Sequence, residues 1–275
     1  MAKLSKKVGF IGAGEICEIQ MHSMLRSGVI AAENIFIYDI RESRLEELKA
    51  RYGVNPVKSN PDVIKSADYI FVCLKPECTV DVAEEISSCD MSGRTLITIS
   101  AGIPMLLYEK KFPGLSAVRV LPNPPSKIGE GAIVIAFNKN CSQEDKENIK
   151  SIYSAMGKCF EIREDQINAA TSITSPGYPL SIFEAAVEAS VLLGFDVKTA
   201  QQIVMQTFKG VLKTWEENPD GISQLMSQAA TPGGITARMV YFLDKERFRY
   251  AVKGCIEEAA IRTAEFGERI KEQIK

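Results

Sequence analysis

The chain has 275 residues, 45% hydrophobic and 25% charged, a balance typical of globular proteins and a length sufficient for two domains. Its formal net charge is −2 with lysines and arginines scattered, which argues against a nucleic-acid surface. No apolar run approaches the ~20 residues of a membrane span, and M-A-K-L-S-K-K-V-G-F lacks the apolar core of a secretory signal.

Seven cysteines without a C-x-x-C pair are expected to be small core residues in a reducing cytoplasm. With one histidine, His22, no metal site is expected.

In chain order, K-V-G-F-I-G (7–12) predicts a strand that ends in glycines, and residues 15–27 predict a helix. N-I-F-I-Y-D (34–39) predicts a second strand, followed by an amphipathic helix over 41–52. Further strands are predicted at 69–74, 95–100, 116–121, 132–137 and 158–162. Near-continuous apolar strands alternating with helical segments predict a mostly parallel sheet covered on both faces.

After residue 163 the strand pattern stops, and 180–194, 197–215 and 246–272 predict long helices. The segment S-I-F-E-A-A-V-E-A-S-V-L-L-G is apolar nearly all round, so it needs burial on more than one side. A second copy of the chain would supply it. The expected architecture is α/β: a doubly wound sheet domain over 1–163, then an all-α domain over 164–275 that joins two chains.

V-G-F-I-G-A-G-E-I-C places Gly12 and Gly14 between a strand and a helix, with a second strand ending at Asp39. That context predicts a Rossmann-type dinucleotide site. Gly12 permits the tight turn, Gly14 lets backbone approach a pyrophosphate, and Cys17 is small enough for the third position. The loop and first turn, Ile11, Gly12, Ala13, Gly14, Glu15 and Ile16, are candidate cofactor contacts. Asp39 suits a ribose 2′-OH, which favours NAD; Arg41 and Arg44 suit a 2′-phosphate, which favours NADP. Both cofactors stay open. Lys75-Pro76, Ala101-Gly102 and Pro122-Asn123 follow three later strands and outline the rest of one cleft.

His22 lies early in the first helix, far from the later strand ends, and reads as an ordinary helix residue. Lys75 is the remaining candidate base. So few acid–base groups suit a cyclic imine, whose iminium accepts hydride without a catalytic acid, so the enzyme mainly positions its reactants. In A-A-T-P-G-G-I-T-A-R-M (229–239), Thr231 is an expected N-cap with Pro232 at the first helical position. Gly233 and Gly234 would then leave first-turn amides open to a small carboxylate, with Thr236 adding a hydroxyl. Tight helix packing through the glycines is the competing reading.

G-F-I-G-A-G-E (9–15), S-N-P-D (59–62), V-C-L-K-P (72–76), I-S-A-G-I (99–103), V-R-V-L-P-N-P-P (118–125), G-E-G-A (129–132), T-P-G-G-I-T (231–236) and A-A-I-R-T-A-E-F (259–266) occur in order along the chain. On these segments it resembles the pyrroline-5-carboxylate reductase family over nearly its full length. The resemblance implies NAD(P)H-dependent reduction of 1-pyrroline-5-carboxylate to L-proline, and a homodimer through interlocking C-terminal helices that assembles further in some members.

By motif position it implies cofactor contacts at Asn60, Leu74, Lys75, Pro76, Ala101 and Gly102, beside Asn123, a candidate from its place after the 116–121 strand. It implies substrate contacts at Pro232, Gly233, Gly234, Ile235 and Thr236, with Ser175 and Tyr178 near the first long helix. Thr236 and Lys75 are the expected catalytic pair. The chain departs from the family pattern at Pro124, at 174–179 and at 225–229, all around the substrate pocket. Two other readings remain beside the leading one: a diverged reductase of another imine or oxo acid, and a non-catalytic nucleotide-binding relative.

Overall fold

The computed structural model describes residues 4–100, 102–218 and 221–274. Eight strands form one sheet: β1 (Val8–Ile11), β2 (Ile35–Tyr38), β3 (Asn55–Pro56), β4 (Tyr69–Val72), β5 (Thr95–Thr98), β6 (Ser116–Leu121), β7 (Gly131–Phe137) and β8 (Gly157–Glu161). Their order is β3-β2-β1-β4-β5-β6-β7-β8. All neighbours pair in parallel except β6 with β7, which are antiparallel.

The apolar runs follow from burial on two sides. In β4, Tyr69 and Phe71 enter one core with Phe10, Ile35 and Ile37. Ile70 and Val72, pointing the other way, enter a second core with Ile11, Leu96 and Ala117. A strand that feeds two cores is apolar at most positions.

Seven helices accompany the sheet: α1 (Glu15–Ser27), α2 (Glu42–Tyr52), α3 (Asn60–Ser66), α4 (Pro76–Glu85), α5 (Leu106–Lys111), α6 (Gln143–Ser154) and α7 (Glu164–Ile173). Ser59 and Ser142 cap α3 and α6, each accepting from a backbone N–H three residues on. The strand order reverses between β1 and β4, and the carboxyl ends there are the expected place for a ligand on such a sheet.

Five further helices follow: α8 (Gly177–Leu192), α9 (Val197–Glu217), α10 (Ile222–Ala229), α11 (Ile235–Lys245) and α12 (Phe248–Ile274). α8 starts three residues before the sequence suggests, because Pro179 sits in its first turn, where a missing N–H costs nothing. α8 and α9 pack against each other, with the Phe183 and Phe208 ring centroids 4.2 Å apart.

Backbone packing separates two compact units. One runs to Thr174 and resumes from Ala259; the other is Ser175–Glu258. The chain thus leaves the sheet unit one helix after the boundary expected at 163: α7 packs on the sheet through Ile167, which is buried in its second core. Among the described residues of the Ser175–Glu258 unit, Ala200 and Val204 are the buried apolar ones, while Leu192, Leu193, Val211, Trp215, Met239, Phe242 and Tyr250 are exposed. One copy of this unit does not bury its own apolar helices.

Candidate active site

β1 runs into α1 through Gly12, whose φ is +88°. A Cβ at Gly12 would lie 2.8 Å from Leu74 Cδ2 and 2.9 Å from the Cys73 carbonyl oxygen. Both the backbone angle and the space therefore require glycine. Gly14 is the N-cap of α1 and has no side chain to cap it. The first helical bond runs from Glu18 N–H to the Gly14 carbonyl at 3.0 Å, so the amides of Glu15, Ile16 and Cys17 lack acceptors within the helix. No atom lies within 4 Å of a Cβ placed on Gly14. Open amides at a helix N-terminus, facing free space, fit a dinucleotide pyrophosphate. Cys17 is fully buried behind them. Exposed Glu15 forms an ion pair with Lys127 from the 3₁₀ turn over 124–128, which offsets a carboxylate beside that anion position.

Asp39 follows β2 and is already engaged. Its Oδ2 accepts from Ala13 N–H at 2.9 Å and from Arg41 Nη2 at 3.2 Å. Its Oδ1 accepts from Arg41 N–H at 3.0 Å and from Arg41 Nε at 2.9 Å. Burial pushes the carboxyl upward, but the Arg41 guanidinium and the two backbone N–H groups outweigh it and hold the carboxyl below its usual range.

Arg44, an alternative phosphate ligand on sequence grounds, is a strut. Its Nε donates to the Ala13 carbonyl at 2.9 Å, Nη1 donates to Glu47 at 2.8 Å, and Nη2 pairs with Glu18. With Arg51 and the Tyr52 hydroxyl also on Glu18, this network ties α1 to α2. Arg41 is the cation that remains.

The later strand ends differ in what they offer. Lys75 is exposed and is the N-cap of α4, with Pro76 opening that helix. The Leu74 carbonyl accepts from Ser100 Oγ at 3.0 Å, which couples the turns after β4 and β5. Gly102, at φ +76°, is buried; Ala101 lies outside the described residues. Asn60 is buried at the start of α3 and donates to Glu85 at 2.9 Å. Asn123 donates to the Thr174 carbonyl and accepts from Ala132 N–H, both at 3.0 Å. Its amide therefore fastens the end of α7 to β7.

One contributor escaped the sequence reading. Arg119, the charge inside S-A-V-R-V-L, is buried and donates to Asn168 on α7 at 2.6 Å, with Glu164 at 4.0 Å. Burial lowers its pKa, and Glu164 opposes that. A Cβ on Gly267 of α12 would lie 3.0 Å from Asn168 Nδ2 and 3.5 Å from the Gly102 carbonyl, so this cluster supports the turn after β5 from behind. The signal was a charge in a strand apolar on both faces.

In the other unit, T-P-G-G is a turn ahead of the helix and not its first turn. Gly234 N–H donates to the Thr231 carbonyl at 2.9 Å, and Gly233 has φ +72°. Pro then Gly at the two central positions is the pattern of a type II turn. Gly234, not Thr231, is the N-cap of α11, with Ile235 its first residue, so Pro232 does not open the helix. The first helical bond is Arg238 N–H to the Gly234 carbonyl at 3.2 Å, which leaves the amides of Ile235, Thr236 and Ala237 without helical acceptors. A groove of 510 Å³ adjoins this end, lined by Gly233, Gly234, Ile235, Arg238, Met239, Phe242 and Leu243. Ser175 accepts from Gly177 N–H at 3.3 Å at the start of α8, and Tyr178 is half-buried in that helix.

Residues 164–266 match the family model described as pyrroline-5-carboxylate reductase dimerisation, and residues 7–102 match one described as NADP oxidoreductase coenzyme F420-dependent. The pyrroline-5-carboxylate reductase of Methanosarcina acetivorans is 29% identical, over 96% of this chain and 99% of its own length. That of Corynebacterium melassecola is 30% identical, over 95% of this chain and 98% of its own. The solved pyrroline carboxylate reductase of Plasmodium falciparum, with NADP bound, is 28% identical, covers 97% of this chain and 100% of that one, and superposes with a TM-score of 0.85. The dimerisation match gives the exposed apolar helices their partner, a second copy of the chain. The protein belongs to the pyrroline-5-carboxylate reductase family.

Proposed function

We propose that this chain reduces 1-pyrroline-5-carboxylate to L-proline with NADH or NADPH. The observation that carries the reading is the start of α11, where three open amides and an apolar groove adjoin. A carboxylate on a hydrocarbon ring matches both features. The helix dipole and the amides of Ile235, Thr236 and Ala237 hold the carboxylate, and the Thr236 hydroxyl adds a donor. Gly233 shapes the turn behind them, and Gly234 keeps its own position clear. Pro232, Ser175 and Tyr178 are assigned to the walls of the same pocket.

When bound, the reduced nicotinamide supplies the hydride. Ile11 through Ile16 hold the pyrophosphate, Asp39 and Arg41 the adenosine ribose, and Leu74, Lys75, Pro76, Ala101 and Gly102 the remainder. The role of Asn60 and Asn123 is to set these turns in place. The imine nitrogen takes its proton from water before hydride arrives, so no side chain need act as an acid. Lys75 is assigned to cofactor positioning, with its ammonium exposed at the end of β4.

The helices of the Ser175–Glu258 unit carry dimerisation and substrate binding, and dimers are the unit of any larger assembly. Seven unpaired cysteines suit a reducing cytoplasm. Reduced-cofactor oxidation with pyrroline-5-carboxylate, followed to proline, tests the reading; no turnover with either cofactor refutes it.

A further inference from the structure

We propose that Arg41 selects between the two cofactors by occupying Asp39, so that it opposes NADH and favours NADPH. The inference rests on the dinucleotide site assigned above. A carboxylate has about four acceptor sites. Those of Asp39 are all filled: two by the backbone N–H groups of Ala13 and Arg41, two by the fork of the Arg41 guanidinium. The backbone donors are held by the glycine loop and by the start of α2. The guanidinium is not so held, because the Arg41 side chain is 58% exposed while that of Asp39 is 8% exposed.

The ribose of NADH offers two neighbouring hydroxyls, and each needs an acceptor. Asp39 can serve them only if the Arg41 fork withdraws, which frees one lone pair on each oxygen. NADH binding therefore breaks an existing ion pair. NADPH presents a 2′-phosphate instead. A carboxylate alone would repel that group, whereas a guanidinium between them neutralises both and forms two charge-assisted bonds. Arg44 is held away from this role, because its Nε, Nη1 and Nη2 each already donate, to the Ala13 carbonyl, Glu47 and Glu18. The sequence alternative of Asp39 for one cofactor and arginine for the other thus becomes a single coupled device.

The test is fluorescence titration of NADH and NADPH into the intact protein without substrate, for wild type, Arg41→Ala and Arg41→Lys. Arg41→Ala is expected to tighten NADH about two- to fivefold, the size of an exposed ion pair. It is expected to weaken NADPH at least ~10-fold, the size of a hydrogen bond to a charged group. Arg41→Lys keeps the charge and loses the fork, so its NADPH affinity falls between the two. Wild-type NADPH binding weakens with added salt more steeply than NADH binding, and Arg41→Ala removes that difference. Opposite signs for the two cofactors support the proposal. Changes of the same sign, or unchanged NADPH affinity, overturn the gate while leaving the site assignment intact. Failure of wild type to bind either cofactor overturns the site assignment and the gate together.

Discussion

A Cβ at Gly234 would sit 2.5 Å from Thr231 Oγ1 and 3.0 Å from the Thr231 carbonyl oxygen. Thr231 thus fills the space that any side chain at 234 would need. Gly233 differs: nothing lies within 4 Å of its Cβ position, but its φ is +72°. One glycine is required by contact, the other by backbone angle.

The two substitutions should therefore separate. Gly233→Ala should cost about 1–2 kcal/mol of stability, the strain of an L-residue in the left-handed region, measured by urea unfolding. Gly234→Val should push the turn away from α11 and raise the KM for pyrroline-5-carboxylate by at least ~10-fold, the effect of losing about 1.4 kcal/mol of carboxylate binding. The cofactor Kd should not change. A normal substrate KM in Gly234→Val would remove the carboxylate role of this helix start.

Positioning without acid–base help predicts mild losses at the two polar candidates. Thr236→Val should raise the substrate KM about 3–10-fold, the worth of one hydrogen bond. Lys75→Met should weaken the cofactor while lowering kcat by less than ~10-fold. General acid catalysis contributes about 10²–10⁴, so a loss of that size at Lys75 would assign it to proton transfer.

Asn123 predicts a stability effect. Asn123→Ala leaves the Thr174 carbonyl and the Ala132 N–H without their partner, at about 1–3 kcal/mol for each group that stays dry. Thermal unfolding should register the loss, while cofactor Kd stays within about threefold. The opposite pattern would mean that its amide contacts the cofactor directly.

Glu18 gives a pH signature. Burial raises its carboxyl, but Arg44, Tyr52 and Arg51 outweigh that and hold it below the usual range. An unfolded glutamate titrates near pH ~4.3. As pH falls toward that value, the unfolded chain binds the proton first, so the Glu18 contribution is complete above about pH 5 and is lost as pH drops through the lower folded value. Glu18→Gln should lower neutral-pH stability and flatten the fall of stability below about pH 5. An unchanged slope would show that the network carries no net energy.

The apolar stripe of α9 should sit between subunits. Light scattering should give the mass of two chains or a multiple for wild type. Val211→Glu with Trp215→Glu, both exposed on one copy, should shift that mass toward the monomer by burying unpaired charge. A wild-type monomer at micromolar concentration would contradict the assignment.

How much of this was legible depended on the kind of constraint. V-G-F-I and Y-I-F-V announced themselves because both faces of each strand feed a core. α1 and α2 were legible from their glycine loop and amphipathic stripe. β3, Asn55–Pro56, is two residues long and carries a proline, so no periodicity marks it. The shortest helices, α3 and α5, escaped assignment because few turns show a period. T-P-G-G was misplaced because proline fits both a first helical residue and the second position of a turn. The glycine after it, in the third position, was the discriminating signal. The Asp39–Ala13, Arg44–Ala13, Arg44–Glu18 and Asn123–Thr174 bonds were illegible because each joins segments whose proximity only the folded sheet creates.

The most direct test of the account is the rate at which purified protein oxidises NADPH and NADH with pyrroline-5-carboxylate, with proline quantified in the same reaction. The account predicts one proline formed per reduced cofactor consumed, with both cofactors active. Cofactor binding without proline formation under either cofactor would contradict it.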